Sequence, residues 1–510
     1  MSTQIMTDSQ TIQLVPTSIS GIVFAAFILL ITYQALACIY NLFFHPLAKF
    51  PGPAACRASA IPYVRQNLRG HLNNWIVKLH NGYGEVVRLA PNELSFCGAD
   101  AYKDMYGFKK AGHGTLQKNP EFYRSPTAEL IHIFTADDVN HGRMRKIFSH
   151  AFSNRALKLQ ESLFITHTEK MINKIRGNPR QKYDMVKMYN FTTFDIMGDL
   201  TFGEPLGMLD NSDYHPWVAA MFGGLRFGVY MHSMRKLAPP LEGFLLKYCI
   251  PQSIKDQMQV HADFSRLRVE RRFEKQDARP DIWGLVLDKQ EGRGLSKDEM
   301  VVNAKVFMIA GTETTATLLS GVTFHLLTNP PKMQKLVQEI RAAFAEEDEI
   351  TVERLQALEY LHACLEEGLR MYPPVPQGLP RVTLPGAPVV VDGHEIPPGS
   401  GVRVTSLAVF RNPNNFLDPE MFVPERWLPD TPEGARYSQD KKHALQPFSV
   451  GPRNCLGKNL AYHEMRLILT KVLYNFDMCL CEESKRWADQ KTFILWQKPP
   501  LMVQLTPRKT

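Results

Sequence analysis

Between Ser9 and Phe44 the chain carries no charged residue, and from Ile19 to Phe44 it reads ISGIVFAAFILLITYQALACIYNLFF. A helix that crosses a bilayer needs about 20 predominantly apolar residues, so this stretch predicts one spanning helix over 19–44. A cleaved signal peptide would have a basic start and a shorter apolar core, whereas no Lys or Arg precedes Lys49. Lys49, Arg57, Arg65 and Arg69 follow soon after, and the positive-inside rule then puts residues 1–18 in a lumenal tail and the bulk of the chain in the cytosol. Pro46, Pro51 and Pro53 cannot continue a helix, because proline removes a donor and fixes φ; residues 45–53 are predicted as a proline-rich hinge.

Beyond the hinge, two periodicities alternate. Glu85 to Leu89 reads as a strand, followed by a turn at Pro91-Asn92-Glu93-Leu94, and Val389 to His394 and Val402 to Val404 read as further short strands. The polar, glycine-rich run from Gly107 to Ser125 has no clean period and is predicted as a loop. Ser296 and Glu299 form a capping-box sequence that opens a helix running to Thr328, where Asn329-Pro330-Pro331 stops it. Such a helix would extend about 50 Å, across a whole domain. A second helix is predicted over Lys458–Phe476. The charges from Arg266 to Lys275 alternate in sign and read as a solvated helical face. From Met208 to Pro251 the chain is rich in Met, Phe, Leu and Gly, and its glycines lack the strand and the spacing of a dinucleotide fingerprint. The expected fold is mainly α with a small β-rich side.

Length by itself suggests about three domains. No linker divides the 510 residues after the hinge, however, so 54–510 is predicted as one large domain. A hydrophobic share of 44% with 22% charged residues is an ordinary globular composition. The net charge of +8 suits an anionic membrane surface or an acidic partner. No basic run with interleaved aromatics points to nucleic acid. The eight cysteines are scattered, unlike a secreted disulfide framework, and fit a cytosol-facing domain.

The chemistry centres on Pro447-Phe448-Ser449-Val450-Gly451-Pro452-Arg453-Asn454-Cys455-Leu456-Gly457. Gly451 and Gly457 permit a tight loop that brings N–H donors to the sulfur of Cys455. The following helix adds the positive end of its dipole, which favours thiolate. Zinc needs several ligands at short spacing, and no second Cys or His stands at that distance. Haem iron needs one protein thiolate, and the charged fork of Arg453 suits a propionate.

With Phe448, Gly451, Arg453, Cys455 and Gly457 in place, the stretch Phe-x-x-Gly-x-Arg-x-Cys-x-Gly resembles that of the cytochrome P450 (haem-thiolate monooxygenase) superfamily. Further motifs of that family follow its order. Ala310-Gly311-Thr312-Glu313-Thr314-Thr315 is similar to the oxygen-side motif of its long helix, which implies that Glu313 and Thr314 guide protons to dioxygen. Asp137 to Ser153 resembles the helix whose Trp-x-x-x-Arg pair reaches the propionates: Arg145 matches, and His141 stands where tryptophan is usual. Glu367, Arg370 and Arg426 match the family's structural Glu-x-x-Arg and Pro-Glu-Arg cluster, with Trp427 in place of the usual Phe. Arg381 matches a further propionate-binding arginine, and Val375, Pro376 and Leu379 would face substrate. The region Met208–Pro251 would roof the pocket and dip into the bilayer.

The resemblance implies haem b, with Cys455 as axial ligand, and insertion of one oxygen atom from O2 into a small lipophilic substrate. It also implies electrons from NADPH through a separate NADPH-cytochrome P450 reductase, since no flavin or nicotinamide domain is present. Arg143, Lys146 and Lys458 are the expected docking cations. Residues 143–153 and 457–469 are similar to fungal microsomal members of the isotrichodermin-hydroxylase-like group, which implies the endoplasmic reticulum membrane and a terpenoid or polyketide secondary metabolite. Two other classes would keep Cys455: a haem-thiolate isomerase or dehydratase, which needs neither oxygen nor reductase, and a non-enzymatic haem sensor, which has no use for Thr314.

Overall fold

The computed structural model of the protein describes residues 19–108, 116–124, 130–248, 250–275, 279–287, 294–386 and 388–508. The expected tail over 1–18, Cys249 and part of the loop expected over 107–125 lie outside the described residues. The apolar run is one helix, Ile19–Phe43, with mean hydropathy 2.4 and no residue of that window buried. At 1.5 Å per residue its 25 residues suffice for a hydrocarbon core of about 30 Å. Its end is clasped to the globular part: Arg57 Nη2 donates to the carbonyls of Leu42 and Ala48, each at 3.1 Å, and Arg88 Nη1 to that of Asn41 at 2.9 Å.

The predicted long helix is present as Lys297–Leu327, with the reciprocal capping box of Ser296 and Glu299. It runs through the main core, buried along most of its length, against the helix Met185–Phe202. At Gly311 the Met197 side chain lies against the helix backbone, and a Cβ would stand 2.7 Å from Met197 Sδ. That contact explains a poor helix former in mid-helix. Asn190, inside Met185–Phe202, is buried and donates to the Tyr214 hydroxyl at 2.8 Å, so its formal glycosylation sequon is inaccessible.

A smaller core packs around a five-stranded sheet ordered Val86–Ala90, Glu93–Phe96, Gly401–Val404, Arg381–Thr383 and Leu116–Lys118. The second and third strands are parallel; the other neighbours are antiparallel. Two local expectations fail here. Glu93 and Leu94 belong to the second strand, leaving the turn to Pro91 and Asn92. The stretch expected as loop holds the edge strand Leu116–Lys118 and the helix Pro120–Tyr123, because backbone pairing with Arg381–Thr383 supplies order that side-chain period does not reveal. The charge run is not wholly solvated either: Arg272 is 4% exposed and bonds Asp281 at 2.6 Å. Met221 to Gly228 lies in the middle of one helix, Pro216–Leu237, which excludes a phosphate-cradling loop.

Candidate functional site

The cysteine loop leads into the helix Lys458–Asn475, with Phe476 opening a strand rather than ending the helix. Gly451 has φ 75°, and a Cβ there would lie 2.1 Å from the Tyr106 carbonyl oxygen. Gly457 differs from expectation. Its φ is −87°, and a Cβ would meet nothing within 4 Å. Its lack of a side chain leaves open space at the start of the helix, which would accept a bulky group bound at the loop. The Cys455 N–H donates to the Phe448 carbonyl at 2.8 Å, and the half-buried Phe448 ring packs 5.2 Å from that of Tyr462. Cys455 is exposed, and the Gly457 N–H, Arg145 and Lys458 each pull its thiol toward the ionised form. The donors expected around the sulfur are therefore present, and an electropositive metal ion would complete the ionisation.

Cations converge beside this loop. Arg145, on the helix Asp138–Phe148, donates from Nη1 to the Asn454 carbonyl at 2.7 Å. Arg453 reaches Asp138 at 2.8 Å, and its Nη1 is buried without a partner among the described residues. Arg381 donates to the Tyr123 hydroxyl at 2.9 Å, with its guanidinium 5.1 Å from the Tyr106 ring centre. Lys118 is a further member, missed in the sequence because it lies in the supposed loop. It is the direct cross-strand partner of Arg381, and its ammonium donates to the Ala136 carbonyl at 3.0 Å. Burial, then Arg453 and Arg381, lower its pKa to about 7. Burial, then Arg453, Lys118 and Arg145, hold His141 at about 4, a neutral imidazole able to donate one hydrogen bond. Like charges side by side on adjacent strands are unfavourable. The carboxylates acting on Lys118, Asp137 and Asp138, stand at the solvent edge. A dianion such as the two propionates of haem fits this surplus, the orphaned guanidinium nitrogen and the open space at Gly457 together.

Across the main core, the central helix becomes exposed in its middle at Ala310. Thr314 Oγ1 donates to the Ala310 carbonyl at 2.6 Å, and Thr312 Oγ1 to that of Met308 at 2.6 Å, the backbone competition expected of clustered threonines. Glu313 is buried and paired with Lys498, which lies 185 residues away and had no signal in the sequence. Behind the site, Glu367, Arg370 and Arg426 form one ionic knot, all fully buried. Pro376 is buried, with Val375 and Leu379 half-buried, in the turn after the helix Glu359–Met371.

One buried acid had escaped attention. Glu464, on the helix after Cys455, is pushed up to about 8 by burial, against a pull from the Thr315 hydroxyl. The folded state holds its proton far more tightly than an unfolded chain with a pKa near 4.5. The contribution of Glu464 to stability therefore falls as pH rises from about 4.5 to 8 and is level above that. Glu464→Gln is expected to remove this slope, gaining on the wild type by up to roughly 1.4 kcal/mol per pH unit across the window. Urea midpoints at pH 5.5 and pH 8 that differ equally in both proteins would contradict it.

Residues 51–505 match the family model for cytochrome P450. Among curated proteins the chain is 47% identical to cytochrome P450 monooxygenase FUM2 of Gibberella moniliformis, covering 92% of this chain and 99% of that one. It is 44% identical to cytochrome P450 monooxygenase efuB of Hormonema carpetanum (93% and 94% covered) and 42% identical to cytochrome P450 monooxygenase astA of Talaromyces wortmannii (94% and 96%). In fold it resembles the crystal structure of the cytochrome P450DA heme domain, with TM-score 0.72 at 19% identity, over 88% of this chain and 95% of that one. The chain belongs to the cytochrome P450 family of monooxygenases, and with that come haem b, dioxygen, a lipophilic substrate and NADPH electrons delivered through a redox partner.

Proposed function

We propose that Cys455 would supply the thiolate that ligates the haem iron and that Arg145, Arg381, Arg453 and His141 would hold the propionates. The observation that carries this is the surplus of cations beside the cysteine loop, with Arg453 Nη1 buried and unpartnered among the described residues. Bound there, haem b supplies the reductive activation of dioxygen and the transfer of one oxygen atom to substrate, the other leaving as water. The protein's own groups do the rest. Thr314 holds a hydroxyl proton at the exposed midpoint of the central helix, and Glu313 guides protons toward it. The buried knot of Glu367, Arg370 and Arg426 keeps the segment before the cysteine loop in place.

Residues 19–44 anchor the chain in the endoplasmic reticulum membrane, 1–18 form a lumenal tail, 45–53 a hinge, and 54–510 the cytosolic monooxygenase domain. The exposed apolar helix Ile19–Phe43 supports this. The redox partner is NADPH-cytochrome P450 reductase. Lys146 and Lys458 are exposed for it, whereas Arg143 is bound to Glu299 and drops out of the docking set. Reversing the charge of Lys146, which unlike Lys458 does not act on the Cys455 thiol, is expected to lower reductase-supported turnover without altering the carbon monoxide spectrum. The substrate is a fungal secondary metabolite of terpenoid or polyketide type, a reading supported by the likeness to fungal monooxygenases.

The test is reconstitution with the reductase and a panel of terpenoid and polyketide precursors under isotopically labelled dioxygen. A product heavier by one labelled oxygen, formed only with NADPH, is the expected result. Conversion without oxygen or NADPH would establish an isomerase or dehydratase instead, and no conversion with haem bound would leave a sensor. Thr314→Ala is expected to keep consuming NADPH while product per NADPH falls by up to about two orders of magnitude and peroxide rises.

A further inference from the structure

The acid of the central helix takes its partner from the far end of the chain. Lys498 follows the strand Leu495–Gln497, and its ammonium bonds Glu313 Oε1 and Thr317 Oγ1, the latter at 2.6 Å. Both charged side chains are 3% exposed. Oε2 of Glu313 is buried and unpartnered among the described residues, so one carboxylate oxygen is tied and the other is left to accept.

The lysine is rigidly mounted. Its strand pairs with Lys491–Phe493 in a hairpin. At the base of that hairpin, Trp496 Nε1 donates to the Pro373 carbonyl at 2.8 Å, and the Trp496 ring stacks on Tyr372 at 4.5 Å. The Tyr372 hydroxyl is held in turn by Gln490 at 2.6 Å. On the paired strand, Arg226 of the helix Pro216–Leu237 lies 5.0 Å from the Phe493 ring centre, and Thr492, directly opposite Trp496, accepts from Asn73 at 3.0 Å. A buried carboxylate without a cation either takes a proton or moves toward water, and either change alters its service as a proton guide.

We infer that Lys498 is a positioning residue for proton delivery: clamped by the C-terminal hairpin, it holds the Glu313 carboxylate by Oε1 and leaves Oε2 to receive and pass on protons. The inference rests on the proposed role of Glu313. Lys498 acts through that acid and touches neither substrate nor cofactor.

The experiment uses full-length holoprotein with the reductase and follows NADPH oxidation, without added substrate, in ordinary and heavy water. Wild type is compared with Lys498→Met, Lys498→Arg, Glu313→Gln and the Glu313→Gln/Lys498→Met double variant. The reduced carbon monoxide spectrum and the melting midpoint report haem ligation and folding in each. Lys498→Met is expected to slow oxidation about threefold or more and to raise the solvent isotope effect, which a structural support alone would leave unmoved. Lys498→Arg, which keeps the charge, is expected to stay within about twofold of wild type.

The double variant is expected to match Glu313→Gln within about twofold, because the lysine has nothing further to position. It also removes both buried charges, so it folds even where Lys498→Met does not. A Lys498→Met enzyme with wild-type rate and isotope effect, beside a Glu313→Gln enzyme altered in both, overturns the role of Lys498 alone. So does a double variant clearly slower than Glu313→Gln. A silent Glu313→Gln overturns the reading of the acid and takes this inference with it.

Discussion

Cys455→Ala is expected to abolish the thiolate-type, red-shifted Soret band of the reduced, carbon monoxide-bound protein, and with it all oxygen transfer. The loop does not depend on the sulfur for its shape. Its backbone is set by the Cys455 N–H to the Phe448 carbonyl, and by Gly451, whose φ of 75° and contact with the Tyr106 carbonyl admit no side chain. The alanine variant should therefore fold and still present its propionate cations, so that haem binds weakly and without the thiolate signature. Loss of the band in a folded, haem-supplied variant establishes the ligand. Persistence of the band would remove Cys455 from the site, and the oxygen chemistry with it, since the push toward O–O cleavage comes from that thiolate. Gly451→Ala should fail differently, by losing the loop itself.

Glu367→Ala is expected to be the most destabilising single change in the soluble domain. This carboxylate accepts from five donors: Arg370 Nε and Nη2 at 2.9 and 2.7 Å, Arg426 Nε at 3.1 Å, Trp427 Nε1 at 3.0 Å and the Val423 N–H at 2.8 Å. Removing it leaves the Arg370 guanidinium, 0% exposed, without a counter-charge among the described residues, and leaves Arg426, also 0% exposed, with Asp440 as its carboxylate partner. Breaking a buried ion pair in this way costs about 3–5 kcal/mol, a large share of the about 5–15 kcal/mol that holds a typical protein folded. Arg370→Lys should rescue little, because the same guanidinium also serves the Phe410, Pro419 and Met421 carbonyls at 3.0, 2.6 and 2.7 Å, which one ammonium cannot span. Denaturation midpoints and the yield of haem-loaded protein would measure the effect; a Glu367→Ala protein of wild-type midpoint would refute it.

The knot also fixes a pH dependence. Burial alone would raise the Glu367 carboxyl, but Arg370 and Arg426 hold it below the ordinary value of 4.5. A depressed carboxyl contributes stability above its unfolded pKa and loses it as pH falls through the folded one. Glu464 has the opposite sign, since its raised pKa makes the fold weaker toward alkaline pH. Glu367 thus contributes to the acid limb of the stability profile and Glu464 to a decline toward pH 8.

What the sequence determined by itself is whatever depends on neighbours a few residues apart. The spanning helix follows from a run of apolar side chains, the start of Lys297–Leu327 from Ser296 and Glu299 bonding each other's backbone, and the cysteine loop from Gly451 two residues before Arg453. The family motifs are of the same kind, because each is a short segment carrying its own geometry. What only the tertiary structure decided is pairing over long separations. Lys118 comes to lie beside Arg381 because an edge strand pairs with Arg381–Thr383, and main-chain pairing leaves no pattern in side chains that face no core. Arg143 is bound by Glu299, and Glu313 is tied by Lys498 from 185 residues away. Gly457 matters for the space it leaves rather than for its backbone angle. A charge in a sequence does not reveal which opposite charge will lie beside it once water is excluded, and in this protein that choice decides which buried charges are paired.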